Sequence, residues 1–158
     1  MSFTNVLVPF DGSEQSQHAL RAAFELASGT DPAKVTVLHV AAPMDFDDSS
    51  FDVAAEMAGI PALDDDAKKK LKESYQGVRR GQIQEKIEQF FENVPENISL
   101  AIEVRNGKPH EEIESFVREQ GIDCVVMGRR GMGIVRQALG SVSTAVLRTV
   151  DVPVLVVR

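Results

Sequence analysis

Short β-rich runs alternate with segments of helical period along the whole chain, and this alternation restricts the fold more than any other feature. Val6-Leu7-Val8, ended by Pro9, reads as a buried strand. Asp11-Gly12-Ser13 supplies turn and cap chemistry. Ala19, Leu20, Ala23, Phe24 and Ala27 then recur at helical spacing until Gly29. Lys34 to Val40 is β-rich and reads as a second strand, whereas 41–63 has no sustained period and contains Pro43, Gly59 and Pro61. That stretch is expected to be a long acidic loop with at most one helical turn.

Asp64-Asp65-Asp66 opens the next helix, where negative charge suits the positive end of the helix dipole. Its apolar stripe reads Ala67, Leu71, Tyr75, Val78, Ile83, Ile87, Phe90, Phe91 and Val94, and Gly77 and Gly81 weaken its middle enough to allow a kink or break. Ile98, Leu100, Ile102 and Val104 alternate with more polar residues, as in a half-exposed edge strand. Asn106-Gly107-Lys108-Pro109 is a turn, with Pro109 suited to a helix start, and Ile113, Phe116 and Val117 carry that helix to Gly121. Asp123 to Met127 is nearly all apolar, as expected of a strand covered on both faces. A Gly-rich turn, a helix through Val142, Ala145, Val146 and Thr149, and a last strand from Pro153 to Val157 complete the chain. The order β-α-β-α-β-α-β-α-β implies an open five-stranded parallel sheet with helices on both faces, an α/β fold.

The 158 residues suit one domain, since a domain usually holds roughly 100–200. A single cysteine, Cys124, excludes an internal disulfide and suits a reducing compartment. No window reaches the about 18 apolar residues of a membrane span, and Met1 to Asn5 lacks a signal-peptide pattern, so a cytoplasmic location is expected. Seventeen Lys and Arg against 24 Asp and Glu leave a net charge of -7, which disfavours general nucleic-acid binding. The charge is unevenly placed. Residues 41–66 hold eight acids and no Lys or Arg, whereas 128–150 hold Arg129, Arg130, Arg136 and Arg148 and no acid.

In parallel α/β sheets ligands bind beyond the carboxyl ends of the strands, where strand order reverses. Pro9 to Ser13, Val40, and Met127 to Ser143 meet that description. In the last segment, Gly128-Arg129-Arg130-Gly131 and Gly140-Ser141 could cradle an anion through backbone N–H groups and a helix N-terminus, with Ser141 and Ser143 as hydroxyl donors. The competing reading is that these glycines only make tight turns. No G-x-x-x-x-G-K-[ST] string occurs, and Gly131-Met132-Gly133 is a broken dinucleotide fingerprint after the wrong strand. His18 and His110 read as solvated and His39 as a satisfied strand residue, so no histidine metal site is expected. Cys124 reads as a small buried hydrophobe, and the Met residues and Phe90-Phe91 as core. Arg129 and Arg130 suit either phosphate contact or solvent. No G-x-S-x-G nucleophile elbow or base–nucleophile pair marks a catalytic set.

Val6 to Ser13, Gly107-Lys108-Pro109, Val125 to Gly131, Gly140 to Ser143 and Val152 to Val157, in this order, resemble the universal stress protein family on its nucleotide-binding branch. The resemblance covers essentially all of residues 1–158. It implies a Rossmann-like domain of the adenine nucleotide alpha hydrolase kind, ATP as ligand with Mg²⁺ as a possible companion, and a role in stress response. On that basis Asp11 faces ribose and any phosphate-bound Mg²⁺, and Val40 with the Pro9-Phe10 backbone borders adenine. Gly128, Gly131, Gly140, Ser141, Val142 and Ser143 would cradle the phosphates, with Met127 preceding them; Arg130 joins the candidate set on its charge and place in the sequence, not on the resemblance. It also implies a homodimer through antiparallel pairing of the last strands, Val154, Leu155, Val156 and Val157. The family signature G-x2-G-x9-G-[ST] has nine residues where this chain has eight between Gly131 and Gly140; the missing residue is expected in the loop around Met132-Gly133-Ile134. Two rivals remain, a nucleotide-free dimerisation or partner-binding module of the same fold and a weak Mg-dependent ATPase. A dedicated enzyme is not expected.

Overall fold

The computed structural model describes residues 2–42, 49–61, 63–91, 93–129 and 139–158. Five strands form one sheet: β1 (Asn5–Pro9), β2 (Ala33–Ala41), β3 (Ile98–Asn106), β4 (Cys124–Gly128) and β5 (Val154–Val157). The helices are α1 (Glu14–Ala27), α2 (Ser49–Met57), α3 (Asp65–Phe90), α4 (Pro109–Gln120) and α5 (Ser141–Thr149). The sheet order is β3-β2-β1-β4-β5 and every pairing is parallel. The alternating Ile98–Val104 run is indeed an edge strand, and the all-apolar run at 124–127 lies inside the sheet.

Alternation along the strands divides the core in two. Val6, Val8, Phe10, Val35 and Val37 pack with α1 and the end of α3 on one face. Leu7, Leu38, Val125 and Met127 pack with α4 and α5 on the other. Local chemistry places the helix ends. Ser13 caps α1 by accepting from the Ser16 N–H at 3.2 Å, and Asp64 caps α3 by accepting from the Ala67 N–H at 2.7 Å. Pro109 opens α4, and Gly121 closes it in the left-handed region at φ 60°. Among the described residues no helix is long and apolar enough to cross a membrane.

Three expectations need correction. The stretch 41–63 is not only loop, because α2 spans nine residues within it. Its mixed composition hides the period, and Lys68 of α3 holds it through an ion pair to Asp52 at 3.1 Å. The apolar stripe of α3 is not one face either. The helix runs unbroken through Gly77 and Gly81, yet only Ile83 and Ile87 are buried among its residues, while Leu71, Val78 and Phe90 are exposed. Nine residues separate Val78 from Ile87, which at about 100° per residue puts them about 180° apart on the helix. The sequence pattern had joined two opposite faces. Phe91, by contrast, reaches the core and meets Phe24 edge-on at 5.4 Å between ring centroids. Met57 is also no core residue, being 86% exposed.

This division predicts unequal costs. Ile87→Ala should destabilise the fold by about 2–5 kcal/mol through lost burial and a cavity, whereas Leu71→Ala should change stability by about 0.5 kcal/mol or less. Urea midpoints for the two variants check this; equal losses would mean that both faces of α3 are covered.

Candidate functional site

Strand order reverses between β1 and β4. The chain leaving β1 turns towards β2 on one side, and the chain leaving β4 turns towards β5 on the other. A crevice of about 180 Å³ opens at that point. Its walls include Pro9, Phe10 and Asp11 after β1, Val40 at the end of β2, Met127 and Gly128 ending β4, and Val142 and Ser143 in the first turn of α5. Eight of the expected site residues therefore converge. Gly140 and Ser141 sit beside them at the start of α5, outside the crevice lining. Arg130 and Gly131 lie outside the described residues.

Each part of the crevice is held by an identifiable contact. The Phe10 side chain is buried among the α1-side apolar residues, so this residue offers the crevice mainly its backbone. Its N–H donates to the Leu38 carbonyl at 2.9 Å and its carbonyl accepts from His39 Nδ1 at 2.8 Å, which satisfies that histidine as expected. Asp11 is exposed; one carboxylate oxygen accepts from the Ser13 N–H at 3.0 Å, which closes the turn into α1. Ser143 is buried and donates to the Gly128 carbonyl at 3.0 Å, tying α5 to the end of β4. The Gly140 N–H donates to the Arg129 carbonyl at 2.9 Å, and the Arg129 N–H donates to the Val157 carbonyl at 2.7 Å.

Gly128 is required by a close approach. A Cβ there would lie 2.7 Å from the Gln15 Cβ and 2.9 Å from Gln15 backbone atoms, so β4 can meet α1 only without a side chain. The N-cap of α5, Gly140, provides no side-chain cap. The first N–H groups of that helix are thus left for another acceptor, and an anion is the natural one. Chemically the crevice combines an apolar wall (Val40, Ile113, Met127, Val142), a carboxylate and a positive helix end. Among the described residues no cluster of three or more His, Cys, Asp or Glu could hold a metal ion.

Four lining residues escaped the sequence reading: Ser16, Leu38, Pro109 and Ile113. Pro109 and Ile113 had registered only as a helix start and a core position. The Gly107 N–H donates to the Ala41 carbonyl at 3.2 Å, and this contact brings the start of α4 over the carboxyl end of β2. The available signal was positional, since α4 follows an edge strand at the same end of the sheet.

The family model described as Universal stress protein family matches residues 2–158. The chain belongs to the universal stress protein family. It is 30% identical over 162 residues to the universal stress protein YxiE of Bacillus subtilis (strain 168), with 99% of each chain covered. The solved structure of the protein MJ0577, from Methanocaldococcus jannaschii, superimposes with a TM-score of 0.70 at 23% identity, over 99% of this chain and 96% of that one. A universal stress protein solved in complex with cAMP superimposes with a TM-score of 0.58 at 20% identity, over 100% and 98%. These two likenesses establish the parallel α/β fold of this family member.

Two outcomes follow from the geometry. Gly128→Val should destabilise the fold by about 1–3 kcal/mol, because overpacking must push α1 from β4; a thermal midpoint equal to the wild type would contradict the close approach. Cys124 is buried in β4, and burial first, then the neighbouring Asp123 charge, pushes its thiol up to about 11. The thiolate is the reactive form, so a disulfide reagent at pH 8 should label Cys124 only at the rate of unfolding. Rapid labelling of native protein would show that the thiol is open to solvent.

Proposed function

We propose that this chain binds an adenine nucleotide in the crevice at the β1–β4 reversal, that ATP is the working ligand, and that occupancy biases dimer state or partner binding during stress. One observation carries the reading. An apolar wall, a turn carboxylate and the uncapped start of α5 meet in one crevice at the carboxyl edge of a parallel sheet, where such folds bind nucleotides. The similar protein in complex with cAMP supports the adenine part. In this reading Val40, Met127, Val142 and the Pro9-Phe10 backbone border the base, and Asp11 meets the ribose. Gly128, Gly140, Ser141 and Ser143, with Arg130 and Gly131, serve the phosphates. Mg²⁺ usually keeps several waters and binds through phosphates with one or two carboxylates. Asp11 fits that modest part.

The homodimer belongs to the same proposal. β5 is an edge strand whose outer side pairs with no described strand, and Leu155 is 42% exposed on it. Such an edge is a template for another chain. An antiparallel β5–β5 contact through Val154 to Val157 would cover it. Light scattering should give twice the chain mass for the wild type, and Leu155→Glu should shift the population to monomer.

The nucleotide reading is tested directly. Bound small molecules released by heat from purified protein should include an adenine nucleotide by mass, and titration with millimolar Mg-ATP should give binding heat. Val40→Trp should abolish that heat while leaving circular dichroism unchanged. If nothing is released and the wild type gives no heat, the nucleotide-free module replaces this reading.

A further inference from the structure

Lys86 belongs to α3, a helix that supplies none of the crevice lining, yet its ammonium reaches the turn after β1. A Cβ built on Gly12 would lie 2.8 Å from Lys86 Nζ and 3.6 Å from its Cδ. Gly12 has φ 83°, in the region that favours glycine, so its bare Cα leaves the space against which the lysine lies. The residue before it, Asp11, lines the crevice, and the one after it, Ser13, caps α1.

Three further observations bear on what the ammonium is for. Burial of Ile83 and Ile87 fixes the rotation of this half of α3, so Lys86 is presented to the turn by the fold. The helix offers it no counter-ion: the positions three and four residues away are Gln82, Ile83, Gln89 and Phe90. Among the described residues Lys86 makes no ion pair or hydrogen bond, although Lys68, Lys70 and Lys108 each have an acidic partner. A cation without an acidic partner thus stands against Gly12, in the turn that carries Asp11. Arg129 and the start of α5 follow β4 in the chain, and neither belongs to α3.

We propose that Lys86 is a phosphate-recognition residue of this crevice, selecting nucleotides with an extended phosphate chain over nucleosides and monophosphates. The proposal rests on the adenine-nucleotide reading and assigns its phosphate selectivity to a helix outside the Gly-rich segment. The side chain is a flexible stem with a compact, hydrated charge. It can swing from Gly12 to an anion beyond Asp11 without a backbone change. A ligand that ends at the ribose or at one phosphate gives it little to meet. A di- or triphosphate brings charge within its reach.

The test compares the wild-type chain with Lys86→Gln and Lys86→Arg, each titrated with Mg-ATP, AMP and adenosine at low and high salt. Lys86→Gln should weaken ATP about fivefold at low salt, the scale of one exposed charge pair, leave adenosine unchanged and change AMP little. Lys86→Arg should retain most of the ATP affinity. The difference between wild type and Lys86→Gln should shrink as salt screens the contact. Lys86 is exposed, so the variants should keep the wild-type circular dichroism. If wild type binds ATP and Lys86→Gln binds it equally, or loses ATP and adenosine alike, the assignment of Lys86 is overturned while the crevice reading stands. If wild type binds none of the three ligands, the crevice reading falls and this proposal falls with it.

Discussion

The contact between the last residue of β4 and the first turn of α1 organises the carboxyl end of the sheet. Gly128 approaches Gln15 so closely that a single methyl group would collide with backbone. Because the two elements touch there, the Asp11 turn stands beside the end of β4. The same Gly128 accepts the buried Ser143 hydroxyl through its carbonyl, which brings in the start of α5. One residue without a side chain therefore aligns a strand end and two helix starts. An anion site made from helix termini needs such alignment, since the helix dipole acts only within the first turn.

Charge is unevenly placed along the chain. A chain with a net charge of -7 would not be expected to attract a polyanion. The excess acid, however, is concentrated in residues 41–66, and the segment after β4 contains only basic charged residues through residue 150. Lys86 adds a cation at the turn after β1. Its uncompensated charge depends on the rotation of α3, which is set by two buried isoleucines that have no part in the crevice. The proposed recognition residue and the buried isoleucines thus share the C-terminal half of one helix, while its N-terminal half carries the Asp64 cap and the Asp52–Lys68 pair.

Much of the fold was legible in the chain because buried strands and amphipathic helices differ in period. The edge position of β3 was readable from its alternation, and the interior position of β4 from its continuous apolar run. The crevice residues after β1 and β4 were readable from turn chemistry joined to the rule for parallel sheets. Periodicity failed where it was asked to report direction. Along α3 a step of five residues from Val78 to Ile83 turns the apolar pattern by about 140°, so residues that look like one stripe point to different surroundings. Phe90 and Phe91 are adjacent in sequence, yet only Phe91 is built into the core. The helix α2 was missed because its sequence carries no sustained apolar period.

The sequence by itself determined the α/β class, the number of strands and the segments after β1 and β4 that line the crevice, because these depend on local period, turn residues and backbone freedom. Tertiary structure decided the strand order, the buried face of α3, the arrival of Ser16, Pro109 and Ile113 at the crevice, and that of Lys86 at the turn after β1. Those outcomes arise from burial shared between distant parts of the chain. Local sequence shows that Ile83, Ile87 and Lys86 are adjacent on a helix. Only the rotation at which the isoleucines enter the core brings that lysine to Gly12.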